Sequence, residues 1–124
     1  MKFSQRLGRN SLGKADKEKV YTVKVSKSAQ NDLREIIKFI SQNNPLNARN
    51  VLQKIEERIN SLKKFPERGW YVPELLKHNI KDYRQLIESP WKIIYKITGK
   101  IVDVLIIIDS RRNTQDILLD KLIV

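Results

Sequence analysis

The sequence contains no cysteine and one histidine, His78. The first absence excludes disulfides, thiolate nucleophiles and every cysteine-ligated zinc or iron–sulfur centre. The second excludes a multi-histidine metal site, and no Asp or Glu cluster stands beside His78 at ligand spacing. No metal and no cofactor is therefore expected. Long apolar runs are missing as well: the longest is Val104–Ile108, far short of the roughly 20 residues of a membrane-spanning helix. Met1–Asn10 lacks the apolar stretch of a secretory signal, so a soluble cytoplasmic protein is the expectation. Acidic residues are the remaining shortage. Fourteen Asp and Glu stand against 25 Lys and Arg, a formal charge of +11 and a pI near 10.0. Such an excess predicts an anionic partner, either nucleic acid or an acidic protein. A membrane surface drops out for want of a basic amphipathic helix.

What is present is enough for one core. At 124 residues, with 40% hydrophobic and 31% charged side chains, the chain has the size of a single domain and excludes wholesale disorder. Residues 1–19 hold six basic and two acidic side chains and little apolar content; they predict a flexible basic arm that carries +4 of the +11. The domain, residues 20–124, keeps the other +7. Alternation of Tyr21, Val23 and Val25 predicts a first strand. Ser26 or Ser28 then caps a helix bearing Ala29, Leu33, Ile36, Ile37 and Ile40, which ends near Asn43 and Asn44. Asn44 with Pro45 opens a second helix, lined by Ala48, Val51, Leu52, Ile55, Ile59 and Leu62.

Phe65 to Ile80, broken by Pro66, Gly69 and Pro73, predicts an ordered loop. Three strands follow, Tyr83–Glu88, Trp91–Ile97 and Ile101–Ile108, joined by short turns that imply an antiparallel meander. The last has only Asp103 among its β-branched residues, as expected of a central strand covered on both faces. Thr114 is expected to cap a short C-terminal helix. The predicted class is α+β, in the order β-α-α-β-β-β: a helical hairpin packed on a mainly antiparallel four-stranded sheet. The place of the first strand in that sheet stays open.

Several stretches, in this order, resemble one family. They are Tyr21–Val25; Ala29, Asp32-Leu33, Ile36 and Ile40; Ala48 to Leu62; Pro66 and Gly69; Tyr83-Arg84-Gln85-Leu86-Ile87; Pro90-Trp91-Lys92-Ile93-Ile94-Tyr95; and Val104 to Asp109-Ser110-Arg111-Arg112-Asn113. Together they resemble the RelE/ParE toxins over about residues 21–122, the ParE-like branch more closely than RelE. The resemblance implies the toxin of a type II toxin–antitoxin pair, held inactive by an acidic antitoxin that wraps it with an extended or helical segment. RelE-like members cleave messenger RNA on the ribosome, whereas ParE-like members inhibit DNA gyrase and are not nucleases.

A metal-free ribonuclease needs a base, an acid and cations for the phosphorane. The resemblance places Arg84, Lys92 and Arg112 as the catalytic cations of such an enzyme. With simple hairpin register, Arg84 and Lys92 come from adjacent strands and, with Arg111 or Arg112, are expected to converge on one phosphate-sized patch. Lysine at 92, where relatives carry arginine, weakens planar phosphate recognition. Asp109, where many relatives carry histidine, is expected to pair with the neighbouring arginines rather than titrate near neutrality. No tyrosine occurs from Asn113 to Val124, and Tyr83 and Tyr95 read as core aromatics. The proton-transfer set is thus incomplete, which favours the ParE-like reading. Trp70, with Lys77 and Lys81 in the same basic loop region, is a candidate for stacking on bases or docking a partner. Ile117, Leu118 and Leu122 form an apolar stripe, expected either as core or as an antitoxin contact. A non-enzymatic nucleic-acid-binding module is the alternative from another class.

Overall fold

The computed structural model describes residues 20–123, and side chains over 20–122. The basic arm expected at residues 1–19 lies outside the described residues. The chain order is β1 (Thr22–Val25), α1 (Lys27–Ser41), α2 (Pro45–Ser61), β2 (Trp70–Tyr71), α3 (Pro73–Leu76), β3 (Arg84–Glu88), β4 (Trp91–Thr98), β5 (Ile101–Asp109) and α4 (Thr114–Leu118). A wider π-helical turn, Leu119–Ile123, ends the described chain.

Local chemistry sets these boundaries. Ser26, not Ser28, caps α1: its hydroxyl accepts from Ala29 N at 3.0 Å and donates to Leu105 O at 3.1 Å, tying the helix start to β5. Asn44 caps α2 through Asn47 N at 3.0 Å, with Pro45 in the first turn where its missing N–H costs nothing. At α4 the cap is Asn113, which accepts from Asp116 N, and Thr114 is the first helical residue instead.

The sheet has five strands rather than four, in the order β1-β5-β4-β3-β2. β1 lies at one edge, parallel to β5, while β2, β3, β4 and β5 form an antiparallel meander. The extra strand and the one-turn helix α3 both fall in the stretch expected as loop. Two layers of helix enclose the sheet. On its first face α1 and α2 bury Leu86, Ile93, Tyr95, Val102, Val104 and Ile107. On its second face α3 and α4 cover Tyr83, Ile94, Ile106 and Ile108 with Val72, Leu75 and Leu118. Double coverage is why β5 reads as a nearly continuous apolar run. An irregularity helps: Ile94 pairs with Ile106 but Tyr95 with Val104, so Leu105 is an extra, unpaired residue. That bulge shifts the alternation and lets five successive apolar residues pack.

Candidate functional site

The strand register decides what the candidate cations can do. Glu88 lies opposite Trp91, Ile87 opposite Lys92 and Arg84 opposite Tyr95. Residues directly opposite share a face, and faces alternate along a strand. Arg84 therefore points to the first face and Lys92 to the second. The convergence expected of Arg84, Lys92 and Arg112 on one phosphate-sized patch does not occur.

Each cation has its own surroundings. Arg84 donates to Gly69 O at 2.8 Å and to Glu67 O at 3.4 Å, and its guanidinium lies 4.9 Å from the centre of the Tyr71 ring. Lys92 is only 7% exposed. Its ammonium reaches both carboxylate oxygens of Glu74, at 3.0 and 2.8 Å, and the Thr114 hydroxyl donates to the same carboxylate. Burial pushes the Glu74 carboxyl up, but the hydrogen bonds from Lys92 and Thr114 outweigh it and hold the group below the ordinary glutamate value. This ion pair ties together α3, β4 and the start of α4. Asp109 takes Arg111 in a two-pronged pair, 2.9 and 2.6 Å, and accepts Arg111 N as well, so its pKa is held down at about 2. Arg112 is exposed, and its guanidinium makes no hydrogen bond or ion pair among the described residues.

Among the described residues the carboxylates beside these cations, Glu74 and Asp109, are held in ion pairs with lowered pKa values and are poor proton-transfer groups near neutrality. The Tyr95 hydroxyl is buried, donates to Pro66 O at 2.6 Å and accepts from Gly69 N at 3.0 Å; burial raises its pKa. Tyr83 is buried in the second core with Lys96 over its ring. His78 is exposed in the turn after α3. Trp70, Lys77 and Lys81 are exposed, whereas Leu118 is fully buried, with Ile117 and Leu122 packed partly buried beside it. The C-terminal stripe serves the protein's own core. Among the described residues no cluster of three metal-ligating side chains occurs, and no helix is long and apolar enough to cross a membrane.

One feature escaped the sequence. Between β1 and the helical hairpin runs an apolar groove of about 630 Å³, lined by Val23, Val25, Leu33, Ile37, Leu52 and Ile59 and flanked by Arg34 and Lys63. The strand beside it is a sheet edge. Thr22 N and Ser26 N bond inward to Lys100 O and Val104 O, so the polar groups of Val23 and Val25 turn outward. Tyr21 N is taken by Lys63 O and Val25 O by the Gln30 amide, which leaves the open stretch centred on Val23.

A helical hairpin on a five-stranded sheet with a parallel edge strand fits the fold expected of a small RelE/ParE-type toxin. The profile of the family described as ParE toxin of type II toxin-antitoxin system, parDE, matches residues 23–114, and the chain belongs to that family. Among solved structures it is similar to the chromosomal ParDE toxin–antitoxin system from P. aeruginosa, at 22% identity and a TM-score of 0.60, covering 73% of this chain and 96% of that one. It is also similar to the RelBE2 toxin–antitoxin complex from Mycobacterium tuberculosis, at 19% identity and a TM-score of 0.52, covering 73% and 92%. No curated protein matches the sequence.

Proposed function

We propose that this type II toxin acts as ParE-like members do, by inhibiting DNA gyrase without nuclease chemistry, and that an acidic antitoxin neutralises it in the cytoplasm. The observation that carries this reading is Lys92. A phosphate-binding lysine must reach solvent, but this one is buried, bound at both oxygens of Glu74 and on the face opposite Arg84. The carboxylate beside Arg112, Asp109, is paired with Arg111 and held at a pKa of about 2, too low for a general base near neutrality, so the set a messenger-RNA endonuclease requires is dispersed.

The β1 groove suits the antitoxin better than the C-terminal stripe does, because Leu118 is already spent in the core. An extended segment would meet the open N–H and C=O groups of Val23, and an amphipathic helix would fill the apolar lining. Acidic residues on that segment would face Arg34 and Lys63. The test is induction of the chain alone in cells, followed by assays of plasmid supercoiling and of messenger integrity. Blocked supercoiling with intact messages is expected; cleavage at codons with normal supercoiling would overturn the reading.

A further inference from the structure

The open edge beside the groove suits a strand of one direction better than the other. A carbonyl lies trans to the N–H that follows it, so successive peptide groups of an extended chain point to opposite sides. Thr22 N and Ser26 N turn inward to Lys100 O and Val104 O, and β1 pairs with β5 over Thr22–Val25. The N–H and C=O groups of Tyr21, Val23 and Val25 therefore face outward. Two of them are already plugged: Tyr21 N donates to Lys63 O at 2.8 Å, and Val25 O accepts from the Gln30 amide at 2.9 Å. Among the described residues, Tyr21 O, Val23 N, Val23 O and Val25 N stay open, in that order between the two plugs.

Direction decides how many of these a short segment can use. In a parallel pairing each bonding residue reaches the two residues that flank its partner, as Thr22 does across Ile101 on the inner side. A segment whose central residue lies beside Val23 then presents the residues before and after it. The first donates to Tyr21 O and accepts from Val23 N; the last donates to Val23 O and accepts from Val25 N. Three residues satisfy the whole window. An antiparallel segment exchanges bonds with Val23 through its central residue alone. To reach Tyr21 O and Val25 N it must run two residues further each way, where the Lys63 backbone and the Gln30 side chain already stand.

We infer that the antitoxin docks here as a short strand added parallel to β1, with an apolar residue beside Val23 and an acidic residue directly after it. The inference rests on the acidic antitoxin and the groove proposed above, and it gives that segment a direction and a pattern. Side chains alternate between faces. The central one shares the face of Val23 and enters the groove with Leu33, Ile37, Leu52 and Ile59, while the next emerges on the other face beside Lys24, which is exposed. An acid there meets a cation on a neighbouring strand. A second copy of the chain, brought edge to edge by a two-fold axis normal to the sheet, runs antiparallel and fits the window less well.

The probe for the test is the blocked pentapeptide Val-Thr-Val-Glu-Val, titrated into the full chain at low salt and followed by amide NMR. Slowed exchange of the Val23 and Val25 N–H groups is expected. An N-methyl group moved along the peptide reads direction: on the glutamate it removes the bond to Val23 O and should weaken binding about tenfold. On the central valine, whose N–H points away from β1, it should change binding by less than about twofold. The reverse order means an antiparallel strand and overturns the inference, as does absence of binding at about 1 mM peptide. Lys24→Glu should weaken binding about threefold, and a peptide with lysine in place of the glutamate should recover it; no change in either overturns the assigned pattern. Shifts confined to the groove lining, with Val23 and Val25 unprotected, overturn the strand and leave the antitoxin reading standing. Parallel docking on a chain that arrests no growth when induced keeps the strand and removes the toxin reading.

Discussion

Lys92 and Arg112 show how two cations of one sequence pattern part company once their surroundings are known. Replacing Lys92 by methionine strands a partly buried Glu74 carboxylate that has lost both Lys92 hydrogen bonds. A cost of about 2–3 kcal/mol is expected in urea unfolding. Arg112→Ala, on an exposed side chain, should stay within about 0.5 kcal/mol. The sign of the pH effect follows from the same residues. Glu74 and Asp109 both have folded-state pKa values below their ordinary ones, 4.5 and 3.8, with Asp109 at about 2. Groups depressed in this way stabilise the fold above the unfolded-state pKa and lose that contribution as pH falls through the folded one. The urea midpoint should therefore hold from pH 7 to about 5 and drop between about 4.5 and 2, and Glu74→Gln should flatten the drop. Gly69 gives a third case: Gly69→Ala forces its Cβ onto Gln85 O and the Tyr95 hydroxyl, and thermal unfolding should register a loss of about 1–3 kcal/mol.

Among the elements, those long enough to show a period were legible: β1, α1, α2, β3, β4 and β5 appear within a residue or two of where alternation or helical spacing puts them. β2 was not, because two residues carry no period, and its existence depends on Tyr95, 24 residues away in sequence from Tyr71, to seat the loop before it. The pairing of β1 with β5 was equally hidden, since a parallel partner 79 residues distant leaves no local trace. The separation of Arg84 from Lys92 was within reach. Once Glu88 faces Trp91 across the turn, even residues of β3 share a face with odd residues of β4, so 84 and 92 must oppose. What pattern alone misses is the groove, which depends on how β1, α1 and α2 are set side by side in space. Ile37 lines it, only partly buried. Ile37→Lys should leave the fold within about 1 kcal/mol while weakening antitoxin binding at least about tenfold; calorimetric titration reads the second and urea unfolding the first.

For the whole molecule the surplus charge is a field rather than a set of contacts. Arg58, Lys92, Arg111 and Lys121 each pair with a carboxylate, so they add little to what a partner meets at close range. The net +7 of residues 20–124 is still felt at a distance, because an ion pair cancels only its own two charges. A field of this kind acts on encounter more than on residence: it draws an acidic chain in before any groove is filled, and screening removes it over a Debye length of about 10 Å at 0.1 M salt. Association of the acidic antitoxin should accordingly slow by about tenfold or more between 50 and 500 mM salt, with dissociation nearly constant, in stopped-flow measurements. The fragment 20–124 should keep most of that salt dependence, since most of the excess charge belongs to it. An association rate indifferent to salt would mean that the apolar groove selects the partner unaided, and that the basic surface answers to a different ligand.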